Sequence, residues 1–140
     1  MQMPAEERIR AYFTDCSQGD AAAIAAHFTE AAVIYDTNVP PVQGREAIGR
    51  FWVRVREKWG GAAWQVKAVL ATGEHAAIEW TMTGRQRVSG VPFAVHGAEW
   101  YRFEGGRIAE IRQYWTFDPR APGSGLLGYP PHASRAASSE

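Results

Sequence analysis

The chain has one cysteine, Cys16, no surplus of charge of either sign, and no long apolar run. A lone cysteine excludes an intrachain disulfide and fits a reducing compartment. Fifteen basic residues against fifteen acidic ones leave a formal net charge of zero. That balance lacks both the electrostatic footprint of a nucleic-acid binder and the polybasic patch of a membrane-surface protein. No apolar run approaches the roughly 20 residues that span a bilayer, and no signal peptide opens the chain, so the expected location is cytoplasmic. No GxGxxG follows a strand-like run, and there is no P-loop. Gly123-Ser124-Gly125 is no nucleophile elbow, because no strand leads into it. His27, His75, His96 and His132 are too scattered for a metal signature. These absences count against nucleophilic and metal catalysis, and they predict neither a metal nor a cofactor.

What the chain does have is aromatic rings: six Trp, five Tyr and six Phe in 140 residues. With 46% apolar and 21% charged residues, it reads as one globular domain able to bury a sizeable core. So many rings suit a lined pocket, an oligomer interface, or both.

Pro4, Glu6 and Glu7 start a first helix, with Ile9, Tyr12, Phe13 and Cys16 at helical spacing. Gly19 ends it. Asp20 caps a second helix, whose apolar side takes Ile24, His27 and Phe28. A short strand, Ala31–Tyr35, ends on Asp36 ahead of the loop containing Pro40-Pro41. Gly44 to Trp59 is a third helix, with Phe51, Trp52, Val55 and Trp59 on one face. The period then becomes two. Trp64, Val66, Ala68 and Leu70 alternate with polar residues, as do Ile78, Trp80 and Met82. Phe93, Val95, Gly97, Glu99, Tyr101 and Phe103 share one strand face, and Gly105-Gly106 turns into a last strand, Arg107 to Phe117. Short turns between long strands predict an antiparallel meander. The fold class is therefore α+β: three N-terminal helices packed on a curved antiparallel sheet, in a cone-shaped arrangement enclosing an apolar pocket. The domain covers residues 1–117. Residues 118–140, rich in Pro, Gly and Ser, form a partly disordered extension.

Three residues carry candidate chemistry. Asp36 sits where a rigid strand gives way to a loop, a good position for a base; the alternative is an Asx-type turn residue. Glu99 is a carboxyl on an otherwise apolar strand face. Burial there would force it to pair or stay protonated, unless a bulge turns it out towards Arg102 or Arg112. Tyr12 belongs to the apolar stripe of the first helix and is either an oxyanion donor or an ordinary core tyrosine. Trp52, Trp64, Trp80, Met82, Phe93, Tyr101, Phe103, Ile111, Gln113 and Trp115 are the candidate substrate-binding wall. Its apolar character suits a small hydrophobic ring compound.

Four stretches give the chain a resemblance. They are Arg10-Ala11-Tyr12 followed by Gly19-Asp20, Asp36 before the proline loop, Gly44-Arg45-Glu46-Ala47-Ile48, and Tyr101-Arg102-Phe103-Glu104-Gly105-Gly106-Arg107-Ile108. Over about residues 5–117 the sequence resembles the nuclear-transport-factor-2-like superfamily, in its SnoaL-like and ketosteroid-isomerase-like branch. In ketosteroid isomerases the oxyanion tyrosine stands eight residues before the Asp of the Gly-Asp turn, as Tyr12 does here. Their basic aspartate precedes the proline loop, as Asp36 does. Their protonated aspartate stands four residues before the second Phe of Phe-Arg-Phe, the place of Glu99 before Phe103. The departures are a longer acid at Glu99 and Trp52 near the place of a family tyrosine. Limonene-epoxide-hydrolase-like relatives need acids where this chain has Arg85-Gln86-Arg87 and Ile111-Arg112-Gln113-Tyr114, so their water-activating relay is not available. The resemblance implies cofactor-independent proton transfer next to a carbonyl, with Asp36 as base and Tyr12 and Glu99 as the oxyanion hole. It equally admits a polyketide cyclase or dehydratase, or a non-catalytic ligand binder or dimeric scaffold. A homodimer through the outer sheet face is expected, because His96, Trp100 and Tyr114 fall there.

Overall fold

The computed structural model describes residues 3–37, 39–115, 130 and 132. The extension from residue 118 onward falls outside them apart from Pro130 and His132. Helix α1 spans Ala5–Gln18 and buries Ile9, Tyr12, Phe13 and Cys16, the set that recurs at 3.6-residue spacing. Gly19 stops it in the left-handed conformation at φ 76°, which a residue with a Cβ adopts at a cost. Asp20 caps helix α2, Ala21–Ala25, accepting from the amides of Ala22 and Ala23. Helix α2 is shorter than expected. His27 lies beyond it, and Phe28 already opens strand β1, Phe28–Tyr35, three residues before the expected start. Two residues, Val42–Gln43, make strand β2, which the sequence pattern is too short to announce. Helix α3 follows over Arg45–Lys58.

Four long strands complete the chain: β3 (Ala63–Thr72), β4 (His75–Arg85), β5 (Pro92–Glu104) and β6 (Arg107–Tyr114). They pair antiparallel in sequence, as their short turns require. The six-stranded sheet has the order β2-β1-β6-β5-β4-β3. Its non-sequential step is the parallel pairing of β1 with β6, which sets Ile34 beside Ile111 and Tyr35 beside Arg112. That pairing places Asp36, one residue past β1, next to the end of β6.

Along β5 every second residue from Phe93 to Phe103 is buried. The pattern holds less well on β3. A bulge between Val66 and Ala68 changes the alternation, so Leu70 faces solvent, not the core. The core unites α1, α3 and the inner sheet face, with Ile9, Ile24, Phe28, Ile34, Ile48 and Ile108 fully enclosed. Burying each such side chain contributes roughly 1.5–3 kcal/mol. Gly97 shows how tight the inner face is: a Cβ there would lie 2.4 Å from the Trp80 ring. No described helix is long and apolar enough to cross a membrane.

Candidate active site

Between the helices and the inner sheet face lies a cavity of about 760 Å³. This is within the usual range for small-molecule sites. Tyr12, Asp36 and Glu99 all line it.

Asp36 reaches the cavity because β1 ends beside β6. Its Oδ1 accepts from the Thr37 backbone N–H at 2.7 Å and from Trp115 Nε1 at 2.7 Å. Among the described residues Oδ2 has no donor. Burial raises the Asp36 pKa, while the bonds from Trp115 and Thr37 oppose that shift. A carboxylate held through one oxygen and open at the other is arranged to take a proton.

Glu99 is more enclosed. It points inward, so the surface alternative does not arise: Arg102 pairs with Glu104 and Glu110, and Arg112 with Glu110. Tyr101 donates its hydroxyl to Glu99 Oε1 at 2.5 Å, and Gln113 Nε2 donates to Oε2. The register explains both, since Glu99 lies directly opposite Gln113 and two residues before Tyr101. Burial pushes the Glu99 pKa up from 4.5 to about 7, against these two donors and with the Asp36 charge adding to the rise. Near neutral pH the carboxyl therefore exists in both forms.

Tyr12 projects from α1, its hydroxyl hydrogen-bonded with the thiol of Cys16 one turn further on. Phe13 and Phe28 hold the ring edge-on at centroid distances of 5.6 and 5.1 Å. Burial raises its pKa well above 10, so it is a permanent donor. Behind it, His27 bonds Asp15 at 2.7 Å and Arg8 at 3.2 Å, tying the start of β1 to α1.

Of the expected wall, Trp52, Trp64, Trp80, Met82, Gln113 and Trp115 line the cavity. Phe93, Tyr101, Phe103 and Ile111 do not. Phe93 packs edge-on against Trp59 at 5.5 Å, Tyr101 stacks on Phe103 at 5.9 Å, and Ile111 is fully buried beside Ile34. Alternation assigns a residue to a face; it does not say how far along the strand the helices have already covered that face. The sequence pattern also missed part of the lining. Phe13 and Cys16 flank Tyr12, Thr37 and Val39 follow Asp36, and Phe51, Arg54, Val55, Lys58 and Trp59 come from α3. The signal for α3 was its wide apolar face, which exceeds what a packed contact needs. Three buried polar atoms have no hydrogen-bond partner among the described residues: Trp52 Nε1, Trp80 Nε1 and Gln113 Oε1. Among the described residues no three His, Cys, Asp or Glu side chains converge to hold a metal ion.

The fold is α+β, with an open six-stranded sheet over an aromatic-lined cavity. The SnoaL-like domain model matches residues 9–111, and the chain belongs to that family within the nuclear-transport-factor-2-like superfamily. Among solved structures, a hypothetical protein with a ketosteroid isomerase-like fold from Catenulispora acidiphila, in complex with trimethylamine, superposes with a TM-score of 0.75. It is 21% identical, over 81% of this chain and 88% of its own. A protein of unknown function with a cystatin-like fold from Methylobium petroleophilum gives 0.70 at 28% identity, over 81% and 76%. A putative SnoaL-like polyketide cyclase from Jannaschia gives 0.68 at 18% identity, over 78% and 83%. Comparison with curated proteins gives no match.

Proposed function

We propose that the protein is an enzyme that transfers a proton next to a carbonyl of a hydrophobic ring compound, without a cofactor, in the manner of ketosteroid isomerases. The observation that carries this is Asp36: its Oδ2 has no donor among the described residues, in a cavity also lined by a permanently protonated tyrosine and a buried glutamate. Asp36 abstracts the proton on carbon. Tyr12 and protonated Glu99 donate to the enolate oxygen as charge develops there. A buried carboxylic acid kept neutral as a donor is the device that ketosteroid isomerase itself exemplifies. Aldol cyclisation or dehydration would begin from the same enolate, and the likeness to a protein named as a putative polyketide cyclase supports keeping those end points.

Substituted naphthols mimic the enolate oxygen, and their binding tests the oxyanion hole by tryptophan fluorescence. Affinity should rise with naphthol acidity and fall at least tenfold in Tyr12→Phe. Exchange of the α-protons of 1-tetralone in D2O tests the base and should fall about 10³-fold in Asp36→Asn. Naphthols that bind without regard to Tyr12, together with no exchange, would leave the cup a binder.

A second reading is a non-catalytic cup for an organic amine. Rings of Trp52, Trp64, Trp80 and Trp115 with two carboxyls suit cation–π binding, and one structural neighbour is described in complex with trimethylamine. Trimethylammonium titration against the naphthols separates the two. We also propose a homodimer through the outer sheet face. There Tyr35, Trp100 and Tyr114 stay exposed, and Trp100 stacks with His75 at 5.4 Å. A monomer in sedimentation at micromolar concentration would refute it.

A further inference from the structure

The cavity changes in character along its depth. Its floor carries Glu99, 4% exposed, and Tyr12, 2% exposed, with Gln113 beside Glu99. Its mouth is formed by more accessible residues, and two of them are cations, Arg54 and Lys58. These stand one turn apart on α3, so their side chains leave the helix on one side. Arg50, exposed one turn earlier, continues the row without lining the cavity. Like charges at i and i+4 destabilise a helix. Among the described residues no carboxylate lies within salt-bridge distance of Arg54 or Lys58 to offset that repulsion. Lys58 instead lies over the Trp59 ring, 5.3 Å from its centroid, which keeps it beside the cavity.

We propose that the substrate is a ring compound bearing an anionic substituent, a carboxylate or an acid of similar geometry, remote from the reacting carbonyl. The anion is held at the mouth by Arg54 and Lys58 while the carbonyl end enters towards Tyr12 and Glu99. Two effects act in the same direction. The cations attract the substituent, Arg54 with a planar fork matched to a carboxylate. The ionised carboxylate of Asp36 opposes its entry into the aromatic interior. One orientation is thereby selected out of two, and the α-carbon comes to Asp36 only in that orientation. This rests on the proposed proton-transfer function for the identity of the inner end; the charge recognition at the mouth is independent of it.

The test compares 6-hydroxy-2-naphthoate with its methyl ester, the same ring system with and without the charge, by tryptophan fluorescence at pH 7 and low salt. The acid should bind about tenfold more tightly than the ester, as two charge-assisted contacts at an accessible site allow. The double variant Arg54→Ala/Lys58→Ala should abolish the preference and leave ester affinity within twofold. Arg50→Ala should retain it, and 0.5 M NaCl should weaken it. Equal affinities, a preference that survives the double variant, or failure of the acid to bind would each overturn the inference. The Tyr12→Phe effect on 2-naphthol is read separately. If that effect is absent while the acid preference is present, the proton-transfer reading fails and the anion site stands; the reverse result rejects the anion site alone.

Discussion

The two carboxyls of the cavity are held in opposite ways. Asp36 ends a strand and has both its donors on one oxygen. Glu99 lies within a strand and has one donor on each oxygen, from Tyr101 and Gln113. Burial raises both pKa values, that of Glu99 to about 7. The proposed mechanism uses this difference to divide the work. An acid with an open oxygen at a strand end can meet a substrate C–H. An acid enclosed by its own network can keep a proton near neutrality and, from the cavity wall, donate it in a hydrogen bond to the enolate oxygen. Gln113 is the joint between them. It sits opposite Glu99, one step past the Tyr35–Arg112 pair that leads to Asp36. Its Oε1 is buried without a partner among the described residues. An amide rotated by half a turn would present that oxygen to protonated Glu99 and move Nε2 to the unpartnered position, so the amide can serve either form of the acid.

The sharpest break in the comparison is at Asp36. Asp36→Asn removes the base and keeps the shape, so α-proton exchange should fall about 10³-fold. Urea stability should change little, since an amide oxygen still accepts from Trp115 and Thr37. Tyr12→Phe should cost about 10²-fold in exchange, the usual loss of one oxyanion donor. Exchange that survives Asp36→Asn but not Glu99→Gln would invert the assignment of roles.

Glu99→Gln sharpens the same comparison through stability. In the unfolded chain the carboxyl titrates near 4.5, and in the folded protein near 7. Below pH 4.5 both states hold the proton. Between the two values only the folded state does, so raising the pH withdraws stability, by about 3 kcal/mol once pH 7 is passed. The amide introduced by Glu99→Gln does not titrate and can donate to Gln113 Oε1. Denaturant midpoints at pH 5 and pH 8 should therefore differ less in the variant, and at pH 8 the variant should be the more stable protein. Gly97→Ala should be milder, about 1–3 kcal/mol, as the added methyl displaces the Trp80 ring.

Much of this arrangement was legible in the residues. Alternation on β5 put Glu99 on the buried face, and helical spacing put Tyr12 in the core, because each pattern is local and each side chain's direction follows from the period. The pairing of β1 with β6 was not legible. It is a contact between segments some 75 residues apart, yet it decides that Asp36 meets Trp115 and that Thr37 meets the Gln113 carbonyl. The β3 bulge at Lys67 was hidden for a related reason, since one extra residue reverses the faces without leaving a mark in composition. The cations at the mouth are exposed residues of α3, and the helical pattern alone does not show that a cavity lies beside them.

The smallest effect belongs to the bond that holds Asp36 from the far end of β6. Trp115 Nε1 donates to Oδ1 and favours the ionised acid. Trp115→Phe keeps the ring and deletes the donor. The Asp36 pKa, already raised by burial, should rise further. A base must be ionised to act, so the acid limb of the pH profile for α-proton exchange should move to higher pH. The rate on the alkaline plateau should stay within about a few-fold of the wild type, because Oδ2 is untouched. A plateau that collapses with the limb unmoved would mean that Trp115 positions substrate and not the base. The contrast between an acid held by one oxygen and an acid held by two would then lose its simplest support.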